Sequence, residues 1–271
     1  FTPAEGALGR YLAALAVLGA LFGREALRWR WPQLRGWLGP TLLVGAALFG
    51  FNTLLFLGLR HTSAVNGALI MSLNPLLTTL IGQVVLGWDL TPLKAGGILV
   101  GLAGGVLLVT EGTPSALLRL DIGLGALIIL GANVCFASHH VFVKRFLQPV
   151  PTGSATLLSS AFCALLLGSY VAAVPQPAVA QQGPLWVPLA SMAAMGALGT
   201  ALAYYLWNKG TATLGPGAAA TYMNVLPLAT AVIAVGLGQP LYPYHALSGA
   251  LILLGVFMMN SSSLGQRARP T

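Results

Sequence analysis

The sequence predicts an all-α integral membrane protein, a polytopic bundle of inverted five-helix repeats. Three observations lead to this prediction: an apolar composition, apolar segments of helix length and an internal duplication. Of the 271 residues, 56% are hydrophobic and only 7% are charged, whereas a soluble domain carries roughly 25% charged residues. A chain of this composition cannot cover itself with a water-compatible surface, so a soluble globular domain is excluded.

Nine apolar segments have the length of roughly 20 residues that suits a transmembrane helix, and they lack the alternating pattern of barrel strands. In chain order the predicted spans cover residues 7–22, 38–58, 64–87, 94–110, 122–143, 153–174, 185–207, 214–237 and 243–260. The 34 glycines suit the close approach of helices in lipid. Both cysteines, Cys135 and Cys163, fall inside spans, so no disulfide is expected.

The second half of the chain repeats the first at an offset of 152 residues. The paired residues include Met71 with Met223, Pro75 with Pro227, Thr78 with Thr230 and, after one dropped residue, Pro92 with Pro243 and Gly104 with Gly255. The shared Met-x-x-x-Pro-Leu-x-Thr block, in register with a later Gly-x-x-Leu-x-Pro, is hard to obtain by chance. The period is too long for a solenoid, which indicates a duplicated unit.

The distribution of Lys and Arg orients the predicted spans. If the loop between the first two spans is cytoplasmic, ten of the 13 basic residues fall on the cytoplasmic side. The other side receives Arg10, Arg60 and Arg119. This bias places the C-terminus in the cytoplasm, and it explains the net charge of +8 without any binding to nucleic acid.

In this orientation the second span runs outward while its copy, the seventh, runs inward, so the repeats are inverted. The later repeat has five spans and the earlier one four. We therefore expect ten helices natively, with the first one absent from this sequence. The expected divisions are residues 1–110 for the first repeat, 111–121 for an external linker, 122–260 for the second repeat and 261–271 for a cytoplasmic tail.

The stretch GTALAYYLWNKGTATLGPGAAATYMNVLPLATAVIAVGLGQPL resembles the second half of EamA-type transporters of the drug/metabolite transporter superfamily. TSAVNGALIMSLNPLLTTLIGQVVLGWDL is similar to the first half, so the resemblance covers nearly the whole chain. It implies ten helices around a central cavity, lined here by the second, third, fifth, seventh and eighth spans. It also implies export of metabolites, with the YddG-like amino-acid exporters as the expected branch. The family's Gly-Glu after its fourth and ninth helices reads Gly87-Trp88-Asp89 and Gly238-Gln239 here, so a role for that glutamate does not carry over.

Charged residues are expected only at the ends of spans or in loops. The acidic residues are Glu5, Glu25, Asp89, Glu111 and Asp121. Charges within the membrane commonly mark ion pathways, proton relays and sites for charged substrates. Their expected absence argues against a carboxylate-based drug/proton antiporter, and against a phosphate-bearing substrate that would need Arg or Lys clamps.

The predicted substrate pathway consists of neutral polar and aromatic side chains on the cavity-lining spans. Amides and hydroxyls can bind the carboxylate and ammonium of a zwitterion, and aromatic rings can hold an apolar side chain. Hydrogen bonding between helices is the alternative role for such residues. The candidates are Asn52, Asn66, Asn74, Thr78, Asn133, His140, Tyr204, Trp207, Asn208, Tyr222 and Asn224. His140 could shuttle a proton or stay neutral and hydrogen-bonded, while His139 is expected to serve packing.

Pro75 and Pro227 are predicted helix kinks, because proline removes a backbone donor and frees the carbonyl four residues earlier. Those carbonyls belong to Met71 and Met223, and at membrane depth each must meet a side chain, water or a cavity. Paired kinks in inverted repeats would suit a rocking motion. The alternative is a static kink that only shapes packing.

These features favour an inner-membrane exporter of small neutral metabolites, above all aromatic or other apolar amino acids, working by alternating access. The alternatives are a permease or facilitator for another apolar metabolite or drug and, remotely, a polytopic membrane enzyme. No mid-span aspartate pair and no Gly-x-Ser-x-Gly supports an enzyme, and no catalytic residue, metal or cofactor is expected. The expected partners are a small-molecule substrate and the lipid bilayer, and the sequence assigns no oligomeric state.

Overall fold

The structure, a computed structural model, describes most of the chain and contains helices but no strand within the described residues. These residues are 1–28, 31–62, 67, 70–71, 73–87, 90–110, 112–113, 115, 123–148, 150–174, 183–214, 219, 222, 236 and 242–267. Most of the predicted eighth span, 214–237, therefore lies outside the described residues.

Eight helices occupy the positions of the other predicted spans. They are α1 (Pro3–Ala26), α2 (Trp31–Leu59), α3 (Asn74–Leu86), α4 (Pro92–Val109), α5 (Leu124–Phe146), α6 (Thr152–Ala173), α7 (Trp186–Leu214) and α8 (Pro243–Arg267). Among the described residues five helices are long and apolar enough to cross a membrane: α1, α2, α5, α6 and α7. The apolar parts of α3, α4 and α8 are shorter than a typical membrane span. The presence of nine spans therefore stays a prediction.

Local sequence signals set several helix ends. A capping box opens α1: the Thr2 hydroxyl accepts from the Glu5 amide at 3.3 Å, and the Glu5 carboxylate accepts from the Thr2 amide at 2.7 Å. Gly87 ends α3 with a φ of 66°, and its amide donates to the Gln83 carbonyl. At the end of α5, Lys144 donates to the Ala212 carbonyl near the end of α7, so it satisfies a carbonyl that lacks an intrahelical partner.

The third span departs from its predicted range of 64–87. Residues 70 and 71 are helical, Leu73 lies in a turn and α3 begins only at Asn74. The physical reason is Pro75, which stands in the first turn of α3 and cannot donate to a preceding turn. The predicted kink at Pro75 is therefore a break between two helical pieces, whereas Pro227 lies outside the described residues.

The helix α7 is not α-helical throughout. Its ends, Trp186–Ala194 and Ala203–Leu214, are α-helical, and Met195–Leu202 between them is a π-helix. Within this π segment the Thr200 hydroxyl donates to the Met195 carbonyl five residues earlier, at 3.3 Å. Such wide turns are rare and frequently lie at functional sites.

The chain folds into two compact units, and each draws on both halves of the sequence. Unit 1 comprises residues 1–56 and 138–213, and unit 2 comprises residues 57–137 and 214–271. In unit 1, α1 packs against α6 and α7, and the fully buried side chains of Tyr11, Leu48 and Leu167 meet in its core.

In unit 2, α4 and α8 cross so closely that only glycine fits at the contact. A Cβ on Gly104 would lie 2.9 Å from the backbone nitrogen of Ile252, and one on Gly255 would lie 2.7 Å from that of Gly101. Gly104 and Gly255 are one of the residue pairs that the predicted duplication aligns. Small residues at such crossings let helix backbones approach in lipid.

Candidate functional site

Most of the described candidate residues lie in three buried polar clusters, each contained within one unit. The arginine cluster of unit 1 comprises Arg10, Tyr11, Asn52, Cys163 and Tyr204. The histidine cluster of unit 1 comprises His139, His140, Thr156, Trp207 and Asn208. The asparagine cluster of unit 2 comprises Ile70, Asn74, Thr78 and Asn133.

The arginine cluster is centred on the Asn52 amide, which α2 presents to α1. Asn52 is 2% exposed, and its Nδ2 donates to the Tyr11 hydroxyl at 3.1 Å and to the Leu48 carbonyl at 2.8 Å. Its Oδ1 accepts from the Arg10 guanidinium at 2.5 Å. The Tyr11 hydroxyl donates in turn to the Tyr204 hydroxyl at 3.4 Å, which links α1 to α7.

Arg10 and Tyr11 are not among the predicted pathway residues. The charge bias places Arg10 at the outer end of the first span, but it lies about two turns inside α1 and reaches the buried Asn52. The expectation that charges stay at span ends is wrong for this residue, because α1 starts earlier than predicted, at Pro3. A signal for Tyr11 was present: the buried positions of α1 recur at helical spacing, which places Tyr11 on the inner face. These positions are Ala7, Tyr11, Ala14 and Leu18.

The histidine cluster lies where α5 meets α7. His139 and His140 are both fully buried. The His140 ring lies 4.9 Å from the Trp207 ring, and the His139 ring lies 6.1 Å from the ring of Tyr204. His139 also makes a polar contact with the Asn208 side chain.

Two other polar groups complete this cluster. The Asn208 amide donates to the Thr156 hydroxyl of α6 at 2.9 Å. The Trp207 indole nitrogen is buried and has no hydrogen-bond partner within the described part of the chain. A buried donor of this kind is costly to leave unpaired, so it is available to a polar group of a ligand.

The asparagine cluster joins the break before Pro75 to α5. The Asn133 Nδ2 donates to the Ile70 carbonyl at 2.7 Å, and its Oδ1 accepts from the Asn74 Nδ2 at 2.7 Å. The Thr78 hydroxyl donates to the Asn74 Oδ1 at 3.2 Å. Asn74, Thr78 and Asn133 are fully buried. The Asn133 side chain thus gives the Ile70 carbonyl a second donor beside the Leu73 amide, and ties α5 to the break before Pro75.

Three candidates remain, and only Tyr222 is among the described residues. Tyr222 is 40% exposed. Asn66 and Asn224 lie outside the described residues, as does Pro227. No group of three or more His, Cys, Asp or Glu side chains is placed to hold a metal ion among the residues that the structure describes.

Comparison with known proteins relates the whole chain to transporters. The EamA-like transporter family matches residues 1–110 and 123–261. The chain is 32% identical over 261 residues to the uncharacterized transporter YyaM of Bacillus subtilis (strain 168), covering 94% of this chain and 84% of that protein.

Two further relatives carry more specific names. A probable terminal-alkyne amino-acid exporter of Streptantibioticus cattleyicolor is 25% identical over 268 residues, covering 97% of this chain and 86% of the relative. A probable biotin transporter of Pseudomonas aeruginosa is 27% identical over 275 residues, covering 97% and 91%. Among solved structures, one protein crystal structure is similar to this chain with a TM-score of 0.77 and 22% sequence identity. The similarity covers 100% of this chain and 90% of the other, and it shows a shared fold only.

Proposed function

Because this chain belongs to the EamA-like transporter family, and is therefore a multi-pass membrane transporter, we propose that it exports small neutral metabolites. The substrates are above all amino acids with aromatic or other apolar side chains. Export proceeds by alternating access across the inner membrane, with the C-terminus in the cytoplasm and no enzymatic role.

The observation that carries this proposal is the pairing of polar and aromatic groups along α7. Tyr204 joins the arginine cluster through its hydroxyl while its ring faces His139. One turn further along α7, Trp207 pairs its ring with His140 and keeps an unpartnered indole donor. A neutral amino acid requires this combination, since polar groups bind its charged ends and rings hold its side chain.

The named relatives support a small organic substrate and keep a second candidate open. One of them is named a probable exporter of an amino acid and another a probable biotin transporter. Amino acids and biotin are both small metabolites with a carboxylate. The biotin relative favours the alternative that this chain is a permease or facilitator for another apolar metabolite.

Counterflow into proteoliposomes separates the two candidates. Vesicles loaded with unlabelled phenylalanine, leucine, glutamate, lysine or biotin are diluted into the same compound in radiolabelled form. We expect label to accumulate for phenylalanine and leucine but not for glutamate or lysine. If radiolabel accumulates with biotin alone, the second candidate, a permease or facilitator for another apolar metabolite, is supported instead. If radiolabel accumulates with no amino acid, amino-acid export is refuted.

Two neighbouring substitutions on α7 test whether counterflow depends on the proposed site. Trp207→Ala removes the ring beside His140, so we expect counterflow of phenylalanine to fall about tenfold or more. Leu206→Ala shortens the neighbouring side chain, which is 55% exposed, and should leave counterflow unchanged. If counterflow falls equally in both variants, the loss reflects a general sensitivity of α7 to shortened side chains, and Trp207 is not part of the binding site.

A further inference from the structure

We propose that Arg10 binds the carboxylate of the transported molecule, so that this transporter selects small organic carboxylates. The inference rests on the proposed transport of amino acids and names the group that the protein recognises. Arg10 lies inside the apolar helix α1, is only partly exposed and points its guanidinium at the buried Asn52.

Arg10 uses only part of its hydrogen-bonding capacity on the residues that the structure describes. A guanidinium has five N–H donors. Within the described part of the chain, its hydrogen bond goes to a neutral acceptor, the Asn52 Oδ1. The Glu5 carboxylate, on the same helix, accepts from the amide and the hydroxyl of Thr2. Among the described residues the guanidinium therefore meets the Asn52 amide and the Tyr11 ring, whose centroid lies 5.5 Å from the guanidinium carbon in a cation–π contact, and both groups are neutral.

A cation inside an apolar segment is costly unless it meets an anion. The planar fork of a guanidinium matches a carboxylate, which can accept two parallel hydrogen bonds. The groups around Arg10 also fit such a ligand, because the hydroxyls of Tyr11 and Tyr204 and the Asn52 amide are neutral and do not compete for the positive charge. The arginine cluster therefore has the composition of a carboxylate site.

The same cluster offers a place for the rest of the molecule. The Tyr204 ring connects the arginine cluster to His139, and the adjacent His140 contacts Trp207. A ligand whose carboxylate meets Arg10 can lay its apolar part against the Tyr204 ring. A purely structural Arg10 would instead serve only to hold Asn52 in place, and would make no distinction between an acid and its amide.

Equilibrium binding to the purified full chain in detergent tests the inference with two acid–amide pairs. The pairs are phenylalanine with phenylalaninamide, and 3-phenylpropionate with 3-phenylpropanamide. We expect the chain to bind each acid about tenfold more tightly than its amide. Arg10→Gln should remove this preference by weakening the acids and leaving the amides unchanged, and Arg10→Lys, which keeps the charge but not the fork, should keep part of it.

The variants are chosen so that folding does not obscure the result. Glutamine at position 10 keeps a donor for the Asn52 Oδ1, and Arg60→Gln removes an exposed arginine as the control. An acid preference that is absent from the wild type, or that persists in Arg10→Gln, overturns the inference. If only 3-phenylpropionate shows the preference and phenylalanine does not bind, carboxylate recognition stands while amino-acid transport fails.

Discussion

Asn52 illustrates how a single buried amide connects three neighbours, since it donates to Tyr11 and Leu48 and accepts from Arg10. Asn133 does the same in unit 2, where both ends of its amide are bonded. At this scale a polar side chain in an apolar helix either joins helices or meets a ligand. The number of its protein partners helps to separate the two roles.

The complete hydrogen bonding of Asn133 yields a prediction. Asn133→Leu would leave the Asn74 Nδ2 without its acceptor and would take from the Ile70 carbonyl one of its two donors, the other being the Leu73 amide. We therefore expect the free energy of unfolding to fall by about 1–3 kcal/mol. Thermal unfolding in detergent measures the effect. As a control, Ser169→Ala removes an exposed hydroxyl bonded within its own helix and should change stability by less than about 0.5 kcal/mol. Unchanged stability of Asn133→Leu, together with weaker substrate binding, would instead place Asn133 on the pathway.

The sequence indicated the burial of most of these residues but not their partners. Residue type and helical position were enough to select Asn52, Asn74 and Asn133, because an amide in an apolar span is rarely without a role. The inward position of Arg10 could not be predicted, because an arginine near a span end ordinarily extends its charge to the membrane interface. Only the contact with α2 shows that it turns inward.

At the scale of the helix, backbone irregularities mark where elements meet. Five of the eight residues in the π segment of α7 are Gly, Ala or Thr, and one of them, Gly196, lies directly against α1. Periodicity predicted a regular span at 185–207 and could not reveal a π-helix, since a local change in winding leaves composition unchanged. The break before Pro75 was partly foreseeable, but its bond to Asn133 was not, because it joins residues far apart in sequence.

Two glycines of the π segment form a matched test of this packing. A Cβ on Gly196 would lie 2.5 Å from the Arg10 carbonyl, whereas a Cβ on Gly199 would meet nothing within 4 Å. We expect Gly196→Ala to lower the free energy of unfolding by about 1–3 kcal/mol. Gly199→Ala should be neutral, or stabilising by up to about 1 kcal/mol. Thermal unfolding of the two variants in detergent checks this, and equal stabilities would mean that α1 does not approach Gly196 as described.

A second prediction at this scale concerns Pro75. Pro75→Ala restores an amide donor at the helix break, so we expect slower counterflow with equal or higher thermal stability. Pro40→Ala is the control, because Pro40 lies inside the continuous helix α2 and its replacement should leave the transport rate unchanged. If Pro75→Ala transports at the wild-type rate, the break only shapes packing and has no part in alternating access.

At the scale of the whole molecule, hydropathy predicted where the helices lie but not which helices assemble. The predicted ranges locate α1, α5 and α6 to within a few residues, because an apolar run of about 20 residues is a strong signal. The division into two units could not be predicted, since each unit combines segments from both ends of the chain. Contacts between distant segments depend on packing, which hydropathy does not record.

The charge bias predicts the topology of the whole molecule. In a background with Cys135 and Cys163 replaced, single cysteines at Gln33 and Gln266 should be protected from an impermeant thiol reagent in intact cells. A single cysteine at Gln182 should be labelled. Permeabilised cells serve as the control, in which all three should react. Labelling at Gln33 in intact cells would reverse the orientation.

Because each unit combines segments from both ends of the chain, a cut near the middle of the chain divides both units. Residues 1–110 contribute to unit 1 through 1–56 and to unit 2 through 57–110, so that fragment alone contains neither unit complete. The same holds for the fragment 111–271. Two fragments cut in the expected linker, at 111–121, should complement each other when they are co-expressed, and neither should accumulate alone.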